Sequence, residues 1–177
     1  HISLQSASFS VLKKMGRGHY KPEEVESFLK KVQNIWPVYA LGADVLLGFP
    51  GETEQEFLQT RDFCSKLPVS YAHVFTYSPR PGTLAAQMTD QIPWEEIKTR
   101  SNILREVIET KKRTFRKKLL DLPRLSIIPE SSSPVQGMSE YYVPCFLDGL
   151  SALRPLRAIL DVKPEKTTAD GIIVSAR

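Results

Sequence analysis

Three short segments of polar, glycine and proline residues each follow a β-prone stretch, and they are the best candidates for chemistry. They are Gln5-Ser6, Gly48-Phe49-Pro50-Gly51 and Ser78-Pro79-Arg80-Pro81-Gly82. Amide and hydroxyl groups suit a ribose or an amino-acid moiety, and glycines let a ligand approach the backbone. An arginine held between two prolines suits a phosphate or carboxylate. The structural alternatives stay open, because a tight turn needs glycine anyway and Arg80 can simply face solvent.

Two ionisable residues lie inside apolar stretches. Asp44 needs a partner if it is buried, so it either orients a ligand or pairs with a neighbouring backbone N–H or basic side chain, and structural pairing is favoured. His73 in a strand is more simply a hydrogen-bonded core residue than a catalytic one. The sequence shows no Ser–His–Asp set, metal-ligand spacing or P-loop. We therefore expect no catalytic residue in this chain.

The elements that must position these residues alternate between strands and helices. The predicted strands are His1–Ser6, Val38–Leu47 and Tyr71–Tyr77. One predicted helix begins at Pro22, a second begins after a capping box of Thr53 and Glu56, and a third runs from about Trp94 to Leu120. This alternation predicts parallel βαβ units, in which the loops after the strands share one edge of the sheet. All three candidate segments are expected on that edge.

After Pro123 the pattern changes to short β-prone runs separated by Ser-, Gly- and Pro-containing turns. The runs are Leu125–Ile128, Tyr141–Phe146, Leu156–Val162 and Gly171–Ser175. They predict a small antiparallel β-module, so the expected domains are residues 1–120 and 121–177. The fold class is therefore α/β, a set of parallel βα units followed by a small β-domain.

Charge and cysteine content limit the partners. The net charge is +4 over 177 residues, and the basic residues cluster at Lys111, Lys112, Arg113, Arg116, Lys117 and Lys118. Such a cluster suits RNA phosphates, although a solvated helix face is the alternative. Cys64 and Cys145 are far apart and are expected to be buried thiols of a reduced, cytoplasmic protein. No apolar run is long enough to span a bilayer, so we expect no membrane partner.

Three ordered motifs resemble one known family. His1 to Ser8 followed by Val11 to Arg17 is similar to its His-x-x-x-Gln-Ser strand and the helix after it. Asp44 to Thr53 resembles its next strand and loop, and His73 to Thr83 the one after that. The family is the radical S-adenosylmethionine methylthiotransferases. Residues from Gly137 to Pro144 resemble the opening of the RNA-binding TRAM domain that ends these enzymes.

The resemblance implies a partial radical S-adenosylmethionine barrel at 1–120 and a TRAM-like domain at 121–177. In the complete enzyme it implies S-adenosylmethionine, two 4Fe–4S clusters and a methylthio group added to a modified adenosine of tRNA. The Arg80-Pro81-Gly82 segment favours the tRNA-modifying branches, and Ser70–Phe75 the threonylcarbamoyladenosine branch. The isopentenyladenosine branch and a non-enzymatic RNA-binding module are the alternatives.

The same resemblance implies roles for particular residues. The implied cofactor-binding residues are Gln5, Ser6, Arg17, Asp44, Gly48, Phe49, Pro50, Gly51, Tyr77 and Ser78. The candidate RNA-binding residues are Arg80 and, from the charge of the basic cluster, Lys111, Lys112, Arg113, Arg116 and Lys117. The family's three-cysteine cluster motif and N-terminal domain do not occur here. We therefore expect a piece of a longer enzyme that holds no cluster and is inactive alone, and that associates with the missing part or, through an unpaired first strand, with itself.

Overall fold

The computed structural model describes residues 1–132, 135–147 and 158–176. Its helices are α1 (Phe9–Lys14), α2 (Pro22–Ile35), α3 (Glu54–Lys66), α4 (Leu84–Gln87) and α5 (Trp94–Leu119). Its strands are β1 (Ile2–Gln5), β2 (Gly42–Leu47), β3 (Tyr71–Thr76), β4 (Leu125–Ser132), β5 (Val135–Ser139), β6 (Pro144–Leu147), β7 (Leu160–Thr167) and β8 (Ile172–Ala176). The chain forms two compact units, His1–Lys111 and Lys112–Arg177.

The first unit is built on a three-stranded parallel sheet in the order β1-β2-β3. The β2–β3 register runs without a break from Gly42 opposite Tyr71 to Leu47 opposite Thr76. The prediction of parallel βα units is therefore confirmed, although β2 is shorter than the predicted Val38–Leu47 strand. Identification of the sheet as part of a radical S-adenosylmethionine barrel stays a proposal.

One face of this sheet carries the core of the first unit. Alternate side chains of the strands, including Leu4, Ala43, Val45 and Leu47, pack with residues of α2, α3 and α5. The helix contributions are Leu29, Phe57, Cys64, Leu104 and Ile108. Apolar residues at helical spacing meet alternate residues of the strands, as their two periodicities require.

Local signals in the sequence fix where two helices begin. Pro22 occupies the first turn of α2, where its missing N–H has no intrahelical partner to lose. At α3 the Thr53 hydroxyl accepts from the Glu56 N–H at 3.2 Å, and the Glu56 carboxylate accepts from the Thr53 N–H at 2.9 Å. The predicted capping box is confirmed.

The second unit contains a closed five-stranded barrel in the order β4-β5-β6-β8-β7. Four of the five neighbouring pairs are antiparallel, as predicted, but β6 and β8 pair in parallel, so the prediction of an antiparallel module is wrong for this one pair. The predicted Tyr141–Phe146 strand is also wrong in its first half: Tyr142 has φ 56° and lies in a turn, and the strand begins at Pro144. The first two residues of the predicted Leu156–Val162 strand lie outside the described residues. Identity with a TRAM domain stays a proposal.

The edge of the sheet at β1 is less bare than the sequence suggests. Among the described strands β1 pairs only with β2. The Tyr20 hydroxyl lies 2.7 Å from the Leu4 carbonyl and 3.2 Å from that of Ser3, so it can donate to backbone acceptors of β1. Self-association through this edge stays a prediction.

Candidate active site

The three candidate segments lie along one edge of the parallel sheet. Gln5 ends β1, Gly48 follows β2, and Ser78 comes shortly after the end of β3. Because β1, β2 and β3 are neighbouring parallel strands, their carboxyl ends share one edge. We call this edge, from Gln5 through Gly48–Gly51 to Tyr77–Gly82, the rim.

Gln5 is held in an unusual backbone conformation. Its φ of 59° is in the left-handed region, and the Ser6 N–H donates to the Leu4 carbonyl across it at 2.7 Å, which closes a three-residue γ-turn. The β1–β2 register also shifts between Ile2 and Gln5. A non-glycine residue in this region costs on the order of 1–3 kcal/mol, and such strain concentrates at functional sites. The turn ends the strand at the rim.

Ser6 lies beneath this turn and is fully buried. Its hydroxyl is 3.2 Å from that of Thr60 on α3 and accepts from the Ser8 N–H at 3.1 Å. Ser8 in turn caps α1 and donates to Glu56 at 3.1 Å. The Ser6 hydroxyl therefore ties the turn to α3, and its predicted contact with a cofactor stays a prediction.

The loop after β2 is tightly packed. Gly48 has φ 78°, and a Cβ on it would lie 2.5 Å from Ile97, so any side chain here is excluded by both conformation and space. Phe49 and Pro50 are buried, and the Lys14 ammonium donates to the Gly51 carbonyl at 2.8 Å. The backbone N–H of Gly48 donates to the Glu52 carboxylate at 2.9 Å and is thus used within the protein.

A buried ion pair holds this loop to α5. The Arg100 guanidinium donates to the Glu52 carboxylate at 2.9 Å and to its backbone carbonyl at 3.0 Å, and it also binds Glu96. Burial raises the pKa of Glu52, against the opposing effects of the Gly48 N–H and Arg100. The second carboxylate oxygen, Oε1, is buried with no hydrogen-bond partner among the described residues.

Sequence reasoning did not identify this pair. Glu52 was part of the motif, but no partner was assigned to it. The available signal was the position of Arg100 on α5, three residues after Ile97 and four before Leu104, both buried. An arginine on the buried face of a helix needs an acidic partner.

Tyr77 closes the rim beside this loop. Its ring meets that of Phe49 edge-on at 5.6 Å, and its N–H donates to the Leu47 carbonyl at 2.8 Å. Its hydroxyl is buried with no hydrogen-bond partner in the described part of the chain. By contrast, Ser78 and Arg80 are exposed. The segment after β3 therefore leaves Arg80 accessible.

Asp44 pairs with a histidine. Its Oδ1 lies 3.0 Å from the Nε2 of His1, which agrees with the favoured structural interpretation. The other ring nitrogen of His1 lies 3.1 Å from the Tyr71 hydroxyl. His73, expected in the core, is exposed, because β3 directs it to the face of the sheet opposite the core. Arg17 is half-buried beyond the end of α1.

The basic cluster is partly engaged within each unit. The Lys111 ammonium donates to the Ser65 carbonyl at 2.8 Å, and Arg116 donates to the backbone carbonyls of Thr168 and Ala169. Burial lowers the pKa of Lys111. Lys117 is exposed on α5. An RNA contact by these residues, and by Lys112 and Arg113, stays a prediction.

The described residues do not provide a cluster site. Cys64 and Cys145 are both buried, belong to different units, and have thiol pKa values raised by burial to about 12. No group of three His, Cys, Asp or Glu side chains within the described residues could hold a metal ion. Nor does any helix in those ranges have the length and apolar content to cross a membrane.

Three known proteins to which this chain is similar are named for methylthio modification of tRNA. The chain is 36% identical over 146 residues to a threonylcarbamoyladenosine tRNA methylthiotransferase (MtaB) of Thermotoga maritima, covering 81% of this chain and 33% of the relative. It is 39% identical over 118 residues to the protein of the same name from Aquifex aeolicus, covering 67% and 28%. A tRNA-2-methylthio-N(6)-dimethylallyladenosine synthase of Neisseria gonorrhoeae is 45% identical over 109 residues, covering 62% and 24%.

No protein-family profile matches the chain. The chain spans about a third or less of the length of these curated relatives. The relatives share one type of activity in their names, and the matched segment includes most of this chain. The chain therefore belongs to the radical S-adenosylmethionine methylthiotransferase family of tRNA-modifying enzymes and corresponds to one portion of its relatives' length.

Proposed function

We propose that this chain is part of an enzyme that adds a methylthio group to N6-threonylcarbamoyladenosine beside the anticodon of tRNA. The observation that carries the proposal is the alignment of Gln5, Gly48 and Ser78 on one edge of a parallel sheet. Relatives named for this substrate support it. Dimethylallyladenosine, which carries the isopentenyl group, is the alternative substrate, since a relative named for it is also similar.

The rim offers groups that fit S-adenosylmethionine. Gln5 is turned at the rim by a strained γ-turn, and the aromatic rings of Phe49 and Tyr77 border the loop after β2. In this proposal Gln5 and Asp44 bind the ribose or methionine part, and the rings border the adenine. Ser6 and the Glu52–Arg100 pair fix the turn and the loop. Arg17 and Arg80 are the candidate contacts for anionic groups.

In the complete enzyme, S-adenosylmethionine together with a 4Fe–4S cluster would supply the radical chemistry of the reaction. The two cysteines of this chain do not fit the clusters, because both are buried and they lie in different units. We therefore assign the cluster ligands to the part of the enzyme outside this chain. The five-stranded barrel β4–β8 is proposed as a TRAM-like tRNA-binding domain.

The test joins this chain to the region that precedes the matching segment in the Thermotoga maritima relative. The hybrid is expressed in a host that lacks its own methylthiotransferases, and tRNA nucleosides are analysed by mass spectrometry. We expect the methylthio form of threonylcarbamoyladenosine. A methylthio form of dimethylallyladenosine instead would reassign the substrate, and no methylthio product, with the intact relative active, would contradict the proposed enzyme.

A matched pair of glutamines tests the rim. Gln5→Ala in the hybrid is expected to abolish most product formation, because Gln5 is turned at the rim. Gln33→Ala, on an exposed position near the end of α2, the helix that leads to the start of β2 rather than to its end, is expected to leave it unchanged. Equal product from both variants would remove Gln5 from the site.

A further inference from the structure

We propose that the segment joining α1 to α2 binds the phosphate backbone of the RNA substrate, with Lys13 and Lys21 as its main contacts. This basic segment, residues 13–21, has the sequence Lys-Lys-Met-Gly-Arg-Gly-His-Tyr-Lys. The inference rests on the proposed function, since it identifies a surface of the first unit that holds the RNA. It adds a second basic surface to the cluster already predicted on α5.

The net charge of the chain is concentrated around this segment. The chain contains 24 lysine and arginine residues and 20 aspartate and glutamate residues. Residues 1–22 include four of the basic residues, Lys13, Lys14, Arg17 and Lys21, and no acidic residue. The rest of the chain therefore contains 20 residues of each sign, and the whole net charge of +4 belongs to this stretch. A local excess of positive charge attracts a polyanion such as RNA.

Two lysines of the basic segment are held beside the same aromatic ring. The Lys13 ammonium lies 4.5 Å from the centroid of the Phe9 ring at the start of α1, and the Lys21 ammonium lies 5.6 Å from the same centroid. The side chain of Lys13 also packs against the loop, because a Cβ on Gly18 would lie 3.2 Å from its Cγ. The ring therefore holds two like charges close enough together for successive phosphates of one RNA strand to contact both.

Acidic side chains near these two lysines do not neutralise them. Glu24 accepts from the backbone N–H of Lys21 at 2.8 Å, and Glu56 accepts from the Ser8 hydroxyl at 3.1 Å. Within the described residues, neither Lys13 nor Lys21 forms an ion pair. Two adjacent ammonium groups without a counter-charge repel each other, and a phosphate that binds between them removes this repulsion.

The basic segment lies next to the rim and is open to a ligand. It follows α1, which is capped by Ser8 shortly after the turn at Gln5, and the Lys14 ammonium donates to the Gly51 carbonyl of the rim at 2.8 Å. A Cβ on Gly16 would meet no non-neighbouring atom of the described residues within 4 Å. An RNA strand held here would therefore pass beside the proposed cofactor position without occupying it.

The test measures binding of the 177-residue chain to a fluorescently labelled RNA with the sequence of a tRNA anticodon stem-loop, by anisotropy at several salt concentrations. Lys13→Gln combined with Lys21→Gln removes two phosphate contacts. We expect it to weaken binding roughly tenfold and to reduce the slope of log affinity against log salt by about 1.5.

Two further pairs of substitutions serve as controls. Lys30→Gln combined with Lys31→Gln removes the same charge from exposed positions of α2, and it is expected to weaken binding by about twofold at most. Lys13→Arg combined with Lys21→Arg keeps both charges and is expected to retain most of the affinity.

Three outcomes would overturn the inference. They are a chain that binds no RNA even at low salt; equal weakening by the two glutamine pairs, which would reduce the effect to net charge; and loss of RNA binding in inorganic phosphate at matched ionic strength, which would assign the lysines to free phosphate. The binding assay needs no catalysis. An active hybrid enzyme with RNA binding that ignores Lys13 and Lys21 would therefore contradict this inference alone, whereas binding that depends on them, with an inactive hybrid, would contradict the proposed function alone.

Discussion

The two faces of the parallel sheet differ in chemistry although they are built from the same three strands. The covered face carries Leu4, Ala43, Val45 and Leu47, all buried and aliphatic. The opposite face, which we call the open face, carries the alternate residues of β2 and β3, namely Gly42, Asp44, Leu46, Tyr71, His73 and Phe75. Because the side chains of a strand alternate, one strand can serve packing with one set of residues and ligand contacts with the other. Substitutions should therefore separate stability from binding residue by residue.

The largest effect is expected at the ion pair beside the covered face. Arg100→Met leaves the Glu52 carboxylate buried without its cation, which should cost about 3–5 kcal/mol of unfolding free energy. Chemical denaturation of the chain measures it. The control is Glu52→Gln combined with Arg100→Met, which should recover part of the loss because no buried charge remains. An Arg100→Met chain as stable as the original would show that this ion pair does not hold the loop.

Two adjacent leucines test the comparison most directly. Leu47 is fully buried on the covered face, whereas Leu46 is half-buried on the open face. Leu47→Ala should cost about 2–5 kcal/mol, since it leaves a cavity in the core, and Leu46→Ala should cost about 1 kcal/mol or less. The midpoints of chemical denaturation measure both losses of unfolding free energy, provided that the variants keep the same dependence on denaturant concentration. Similar losses would mean that the open face is itself a packing surface.

The start of α3 should respond to pH. Burial tends to raise the pKa of Glu56, but hydrogen bonds from Thr53, Ser10 and Ser8 lower it below its ordinary value. The folded state then binds that proton less tightly than the unfolded state. The contribution of Glu56 is present above the ordinary value and lost as the pH falls through the lowered one. Glu56→Gln should therefore destabilise the chain at neutral pH, and this penalty should shrink in acid.

The other half of the capping box, the Thr53 hydroxyl, is tested by a second variant. Thr53→Ala removes the hydroxyl that caps α3 and should cost about 1 kcal/mol. Thermal unfolding at pH 7 and at acid pH measures both variants. A Glu56→Gln penalty that stays constant or grows in acid would show that the capping hydrogen bonds are not formed as described.

The smallest effect on stability is expected at Gly42. In Gly42→Ala the new methyl group must displace Tyr71 and His1, whose far ends can move without disturbing the core. We expect a stability change within about 1 kcal/mol but loss of the His1–Tyr71 contact, read from the histidine NMR signals. A large loss of stability would show that the two rings are part of the packing that supports the fold.

Alternation and capping made much of the first unit predictable. The helix starts at Pro22 and Thr53 and the parallel order of the strands follow from local signals. Contacts between residues distant in sequence did not follow, because nothing near Glu52 or Asp44 indicates that Arg100 or His1 is the partner. The parallel β6–β8 pair was missed for the same reason, since turn signals favour antiparallel neighbours.

The placement of the two cysteines provides an internal reporter for each unit. Cys64 and Cys145 are fully buried, and their thiol pKa values of about 12 leave almost no thiolate at neutral pH. A thiol-specific reagent can therefore modify each residue only when its surroundings open. Mass spectrometry of the two labelled peptides over time would give a separate opening rate for the α/β unit and for the barrel, without any introduced probe.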